Sequence, residues 1–162
     1  MSTIDHTALR LERTFAAGAE DVFDAWTNPE VLRRWWAANA DWDSPGCKVD
    51  LRVGGRYVLR MRNPETGDVH VVEGEYQEIE RPRRLVYTWS WVGGSNPGHV
   101  SLVAVSFAAE TDRRTRVTLE HSGLPSGDSQ RNHEKGWIET LANLERRIFL
   151  DQHDNHAGGA KR

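Results

Sequence analysis

Alternation of apolar and polar positions dominates this chain. In Ala8–Phe15, Leu9, Leu11, Arg13 and Phe15 fall on one side and Arg10, Glu12 and Thr14 on the other, which predicts a strand with one largely buried face. Arg56–Arg62 sets Tyr57, Leu59 and Met61 against Arg56, Arg60 and Arg62. Arg84–Trp91 groups Leu85, Tyr87, Trp89 and Trp91; Val100–Ala108 groups Val103, Val105 and Phe107; Thr115–His121 groups Val117, Leu119 and His121. Val69–Glu80 is long for a strand, and its interior Gly74 predicts a bulge or sharp bend. With a strand at Val49–Val53 the set reaches seven. Gly54-Gly55, Asn63–Asp68, Pro82, Gly93–Gly98 and Thr111–Arg113 supply the turns.

The period changes to helical in three places. Ala19–Trp26 carries Val22, Phe23 and Trp26 at helical spacing. Asn28-Pro29 stops that helix and starts a second, with Asn28 as cap, running from Pro29 to about Trp36. After the irregular stretch Ala37–Lys48 and all the strands, Asp128–Leu150 reads as one long amphipathic helix. Trp137, Leu141, Leu144 and Ile148 form its apolar stripe with Ile138 beside them, and Glu139, Asn143, Glu145, Arg146 and Arg147 take the other side. Ser126, Asp128 or Ser129 caps its start. Gly136 inside it costs about 1 kcal/mol relative to Ala, for which close approach of helix to strand is the expected reason. Gln152–Arg162 is polar and Gly-rich and reads as a disordered tail, leaving residues 1–151 as a single domain.

This order of elements predicts an α+β fold with an antiparallel sheet. Seven strands span about 30 Å, whereas one helix is about 10–12 Å thick, so the sheet must curl around the helix. Curling leaves space between helix and concave face. Seven Trp in 162 residues place an excess of large aromatics near that space.

Several motifs together resemble the START-like (SRPBCC) superfamily, and within it the family of activators of the heat-shock-protein-90 ATPase. They are Asn28-Pro29 before Trp35-Trp36, Gly54-Gly55-Arg56-Tyr57, and Gly74-Glu75-Tyr76 running on through Glu80-Arg81-Pro82 to Trp89. Thr115–His121 and Gly136-Trp137 with Leu141 and Leu144 complete them. The resemblance implies a helix-grip fold with a deep hydrophobic cavity. The expected lining is Trp35, Trp36, Tyr57, Tyr76, Tyr87, Trp89, Val105, His121, Trp137 and Leu141. The first expectation is binding of a small hydrophobic or aromatic molecule there, without a cofactor. The alternatives are a cyclase- or aromatase-like enzyme acting on a polyketide-type substrate, with His121 or a tyrosine moving the proton, and a chaperone-related interaction module presenting an exposed Trp42.

Charge and composition narrow the partners. A net charge of −3 with pI near 6.2 argues against a nucleic-acid surface. No window approaches the roughly 20 apolar residues of a membrane span, no secretory leader is visible, and the lone Cys47 fits a reducing compartment, so a cytoplasmic location is expected. Histidines 6, 70, 99, 121, 133, 153 and 156 form no metal-ligand spacing on an ordered element. His121 is the weak catalytic candidate and His70 a lesser one. Glu73 and Glu75 read as a solvated face, paired with Arg60 or Arg62. Dimerisation stays open.

Overall fold

The computed structural model describes residues 7–150. The disordered tail expected from residue 152 onward, with His153 and His156, lies outside the described residues.

Seven strands form one antiparallel sheet in the order β1-β7-β6-β5-β4-β3-β2. They are β1 (Leu9–Phe15), β2 (Cys47–Val49), β3 (Arg56–Arg62), β4 (Val69–Glu80), β5 (Arg84–Trp91), β6 (Ser101–Thr111) and β7 (Arg114–Ser122). β2 to β7 follow one another as neighbours, and β1 pairs with β7, Leu9 opposite His121. The sheet curves around the long helix α3 (Gly127–Leu144), with α1 (Ala19–Thr27) and α2 (Pro29–Trp35) inserted after β1.

The alternation read from the sequence sets the buried face. Tyr57, Leu59, Met61, Leu85, Tyr87, Trp89, Val103, Val105, Phe107, Val117, Leu119 and His121 are all buried. Asn28 caps α2 by accepting a bond from the Glu30 N–H at 3.0 Å, with Pro29 at the first helical position. Ser126 caps α3 through the Ser129 N–H at 3.1 Å. Trp26 and Phe23 of α1 pack edge-on against Phe107 at 5.7 and 5.3 Å, and Trp35 of α2 packs against Trp26 at 5.3 Å, so the two helices cover the sheet around Phe107.

Several expectations need correction. The second strand is Cys47–Val49 rather than Val49–Val53; Leu51 and Val53 lie in the turn, where Gly54 has a φ of 84°. The register irregularity in β4 falls between Tyr76 and Glu78, not at Gly74. Gly74 instead admits a close approach, since a Cβ there would lie 2.0 Å from the Thr88 carbonyl oxygen. The regular α-helix stops at Leu144, and Glu145–Leu150 continues as a wider π-helical turn. That turn buries Phe149 against Phe15 at 5.6 Å. Ile138 is 45% exposed, because one step around the helix from Trp137 already leaves the buried stripe. Asn143, expected on the outer side, is fully buried.

Asn143 and Arg147 explain how the irregular segment after α2 is held. Asn143 Nδ2 donates to the Ala37 and Asn39 carbonyls at 2.8 and 3.1 Å, and Arg147 donates to those of Ala40 and Trp42 at 2.8 Å each. Asp43 takes two bonds from Arg62, whose guanidinium holds its carboxyl below the ordinary range. Arg62 is thus engaged with Asp43. Glu73 and Glu75 stand opposite Val58 and Arg56, so the expected cross-strand pairs with Arg60 or Arg62 do not form. Trp42 is half-buried, stacked on His70 at 5.4 Å.

Candidate functional site

The apolar stripe of α3 begins only at Trp137. In the preceding turns the residues beside the sheet are the exposed Asn132, His133, whose ring meets Trp91 of β5, and Gly136, which has no side chain to fill the space. Opposite them β5 presents Trp89 and Trp91, β3 presents Met61, and the segment after α2 presents Trp36 and Ala38. A cavity of about 180 Å³ remains between them, closed below by Trp137 and Thr140. Toward the other end α3 carries Leu141 and Leu144, and the space is filled.

Four indoles make the wall. Trp36 meets Trp89 and Trp137 at 5.8 and 5.6 Å, Trp89 meets Trp137 and Trp91 at 5.1 and 5.4 Å, and all contacts are edge-on or tilted. Two histidines accompany them 5.1 Å apart, His133 on the cavity wall and His121 behind the indoles. An indole N–H only donates, which fixes both tautomers. Trp137 Nε1 donates to His121 Nδ1 at 3.1 Å, so the His121 proton sits on Nε2, 2.8 Å from Ser101 Oγ. Trp91 Nε1 donates to His133 Nε2 at 2.9 Å, and His133 Nδ1 donates to the Ser129 carbonyl at 2.7 Å. Burial, with the neighbouring His133 adding to it, pushes His121 down to about 3; burial also lowers His133. Both rings are neutral with every nitrogen engaged.

The expected lining divides. Trp36, Trp89 and Trp137 line the cavity; Tyr57, Tyr76 and Tyr87 line, again with Trp36, a separate crevice of about 10 Å³ that is little more than a packing gap. Trp35 donates to the Ala25 carbonyl at 3.0 Å and lies in the core with Val105 and Leu141. His121 lies behind the Trp89 and Trp137 rings rather than on the cavity wall. Tyr57 donates to the Thr88 carbonyl and Tyr87 accepts from Trp26 Nε1 at 3.2 Å; burial raises all three phenols, which stay protonated. His70 is exposed. Met61, Asn132, His133, Gly136 and Thr140 also line the cavity without having been expected there. The signal available for the three that precede Trp137 on α3 was the absence of an apolar side chain within the turn before it.

A larger hollow of about 350 Å³ lies over β1, β6 and β7, but Arg10, Leu102, Glu120 and Ser122 along it are exposed strand residues of the outer face. Among the described residues no three His, Cys, Asp or Glu side chains gather to hold a metal ion, and no helix is long and apolar enough to cross a membrane.

A curved antiparallel sheet closed around a C-terminal helix, with short helices after its first strand, defines the helix-grip class of START-like proteins. Residues 16–148 match the family of Activator of Hsp90 ATPase homolog 1-like proteins, and the chain belongs to that family. No curated protein matches it. Among solved structures, a protein of Nitrosomonas europaea is 27% identical over 93% of this chain and 99% of its own, with a TM-score of 0.75. An AHSA1 protein of Silicibacter pomeroyi is 27% identical over 89% and 99%, with a TM-score of 0.76. A Plasmodium falciparum protein described as an HSP90 activator is 25% identical over 86% and 94%, with a TM-score of 0.68.

Proposed function

We propose that this chain binds a small, mainly apolar aromatic molecule between the concave sheet and the N-terminal half of α3, as one domain over residues 1–151 acting in the cytoplasm. The observation that carries the reading is the indole-walled cavity beside the N-terminal half of α3, where Gly136 leaves room between His133 and Trp137. At about 180 Å³ it is smaller than most drug-sized sites, which start at roughly 300 Å³, yet comparable to the roughly 150 Å³ that holds a benzene ring. One ring or a fused pair fits.

Binding is favoured over catalysis because the side chains suited to proton transfer are committed. Neither imidazole has a free lone pair, and the phenols are buried and protonated, so a cyclase-like mechanism lacks a base. The test is titration with single-ring probes while following Trp emission, with native mass spectrometry for a retained molecule. Saturable binding at one site supports the reading; no binding by any such probe sinks it.

A second reading, a chaperone partner, rests on the relative described as an HSP90 activator. The segment 37–43 expected to present Trp42 is fastened to α3 and its π-helical end and offers little loose surface. A pull-down with purified Hsp90 decides it, and no retention ends it.

A further inference from the structure

The cavity carries its accessible polar side chains on one row of α3. Asn132, Gly136 and Thr140 follow one another at intervals of four residues, so they share a face of the helix, with about 12 Å between the Cα atoms of the outer two. Gly136 leaves the middle of the row empty. At the outer end Asn132 is exposed, and its amide makes no hydrogen bond to another described residue. At the inner end Thr140 is only 4% exposed, and its hydroxyl donates to the Gly136 carbonyl at 2.7 Å. That bond turns the hydroxyl back toward Gly136 and commits its one proton, so toward a molecule lying over the glycine the oxygen acts as an acceptor.

The other polar side chains of the wall are committed or covered. Trp91 and Trp137 donate to His133 and His121, His133 donates in turn to the Ser129 carbonyl, and Met61 Sδ accepts from the Ala38 N–H at 3.3 Å. The nitrogens of Trp36 and Trp89 are shut off from the surface. No Lys, Arg, Asp or Glu lines the cavity, and an ionised ligand would lose its hydration with nothing to replace it.

We propose that the cavity takes an uncharged phenol or aryl amine whose ring lies over Gly136 among the indoles, whose O–H or N–H donates to Thr140 Oγ1, and whose opposite end meets Asn132 in water. The inference rests on the binding reading and gives its site a ligand chemistry. The inner bond sets the selection. A phenol brings a proton to the threonine oxygen, whereas an aryl ketone or ether brings oxygen against oxygen with no proton between them. Asn132 both donates and accepts, so the outer end admits any neutral polar substituent.

Phenol and toluene, which exchange O–H for a methyl group, test the inner bond by calorimetric titration. Thr140→Val keeps the shape of the side chain and removes its oxygen. The ratio of phenol to toluene affinity is expected to fall about three- to tenfold in Thr140→Val, the loss of one net hydrogen bond, and to hold within about twofold in Thr140→Ser. Taking the ratio within each protein cancels the change in volume. Should Thr140→Val fail to fold, 4-nitrophenol decides in the unaltered protein. It is coloured only when ionised, and the ionised form has a charge and no proton to give, so the neutral form should bind about tenfold tighter or more and the protein should bleach the colour near the probe's own pKa. A ratio unchanged in Thr140→Val, an equal fall in Thr140→Ser, or 4-nitrophenol bound without bleaching overturns the donor assignment and leaves the cavity reading standing. Failure of phenol and toluene alike removes the binding reading and this inference together.

Discussion

At the scale of single residues, His121 shows how a group suited to proton transfer becomes a structural one. It is fully buried, takes one bond from an indole and gives one to a hydroxyl, so its neutral form is held from both sides. In the unfolded chain the imidazole takes up a proton near 6.5, and in the folded chain only near 3. Between those values the unfolded state holds more protons, so stability falls as the pH falls through that window, by up to about 1.4 kcal/mol per unit. Urea unfolding across that range should show the slope in the native sequence and most of it gone in His121→Gln; an unchanged slope assigns the acid sensitivity elsewhere, His133 first. Gly136 makes the opposite point. A Cβ there would meet only Ala38 Cβ at 3.7 Å, an ordinary contact, so the expected tight approach of helix to strand is not its reason. Gly136 lines the cavity, and an added methyl takes volume from it. Gly136→Ala should gain about 0.5–1 kcal/mol, raising Tm by about 1–4 °C, while weakening single-ring probes. A variant that is more stable and binds equally well would separate Gly136 from the site.

At the scale of elements, the C-terminal helix does two jobs with its two halves. From Trp137 onward its apolar stripe fills the palm of the sheet, and before Trp137 it leaves room. Its far end also fastens the chain after α2. Asn143 is the clearest of these ties, a buried amide whose two donors meet two loop carbonyls, one of them on the fully buried Ala37. Asn143→Ala should cost about 1–3 kcal/mol, the penalty for leaving such a group unpaired. Hydrogen exchange should quicken around residues 37–43 while the strands keep their protection. Uniform loosening of the whole sheet would argue against a local tie. Periodicity could not show this role, because Asn143 lies off the apolar stripe and reads as a solvent residue until the loop is seen against it.

At the scale of the whole molecule, the mismatch between a broad sheet and a narrow helix is resolved in more than one way. The sheet curves, α1 and α2 cover one region with Phe23, Trp26 and Trp35, the tyrosines close another, and a modest cavity is left at one end. A ligand held only by the folded form adds stability by mass action, about 2.7 kcal/mol at a hundred times its Kd. For a chain of 162 residues that raises Tm by about 5–10 °C. A neutral single-ring probe at that excess should produce such a shift, and its absence alongside apparent fluorescence binding would point to surface adsorption.

The strands and their inward residues were legible because a period of two is a local property: Tyr57, Trp89, Val105 and Leu119 declare their side within a few neighbours. The same holds for the Asn28-Pro29 stop and the stripe from Trp137 to Ile148, so the antiparallel sheet and its terminal helix follow from the chain alone. Which aromatics pack and which face open space was decided only in three dimensions. Trp35 and Trp36 are adjacent and equally apolar, yet one donates to Ala25 in the core and the other walls the cavity with an unpaired N–H. The difference depends on what lies across the fold from each ring, and a hydrogen bond between residues far apart in sequence leaves no trace in their spacing.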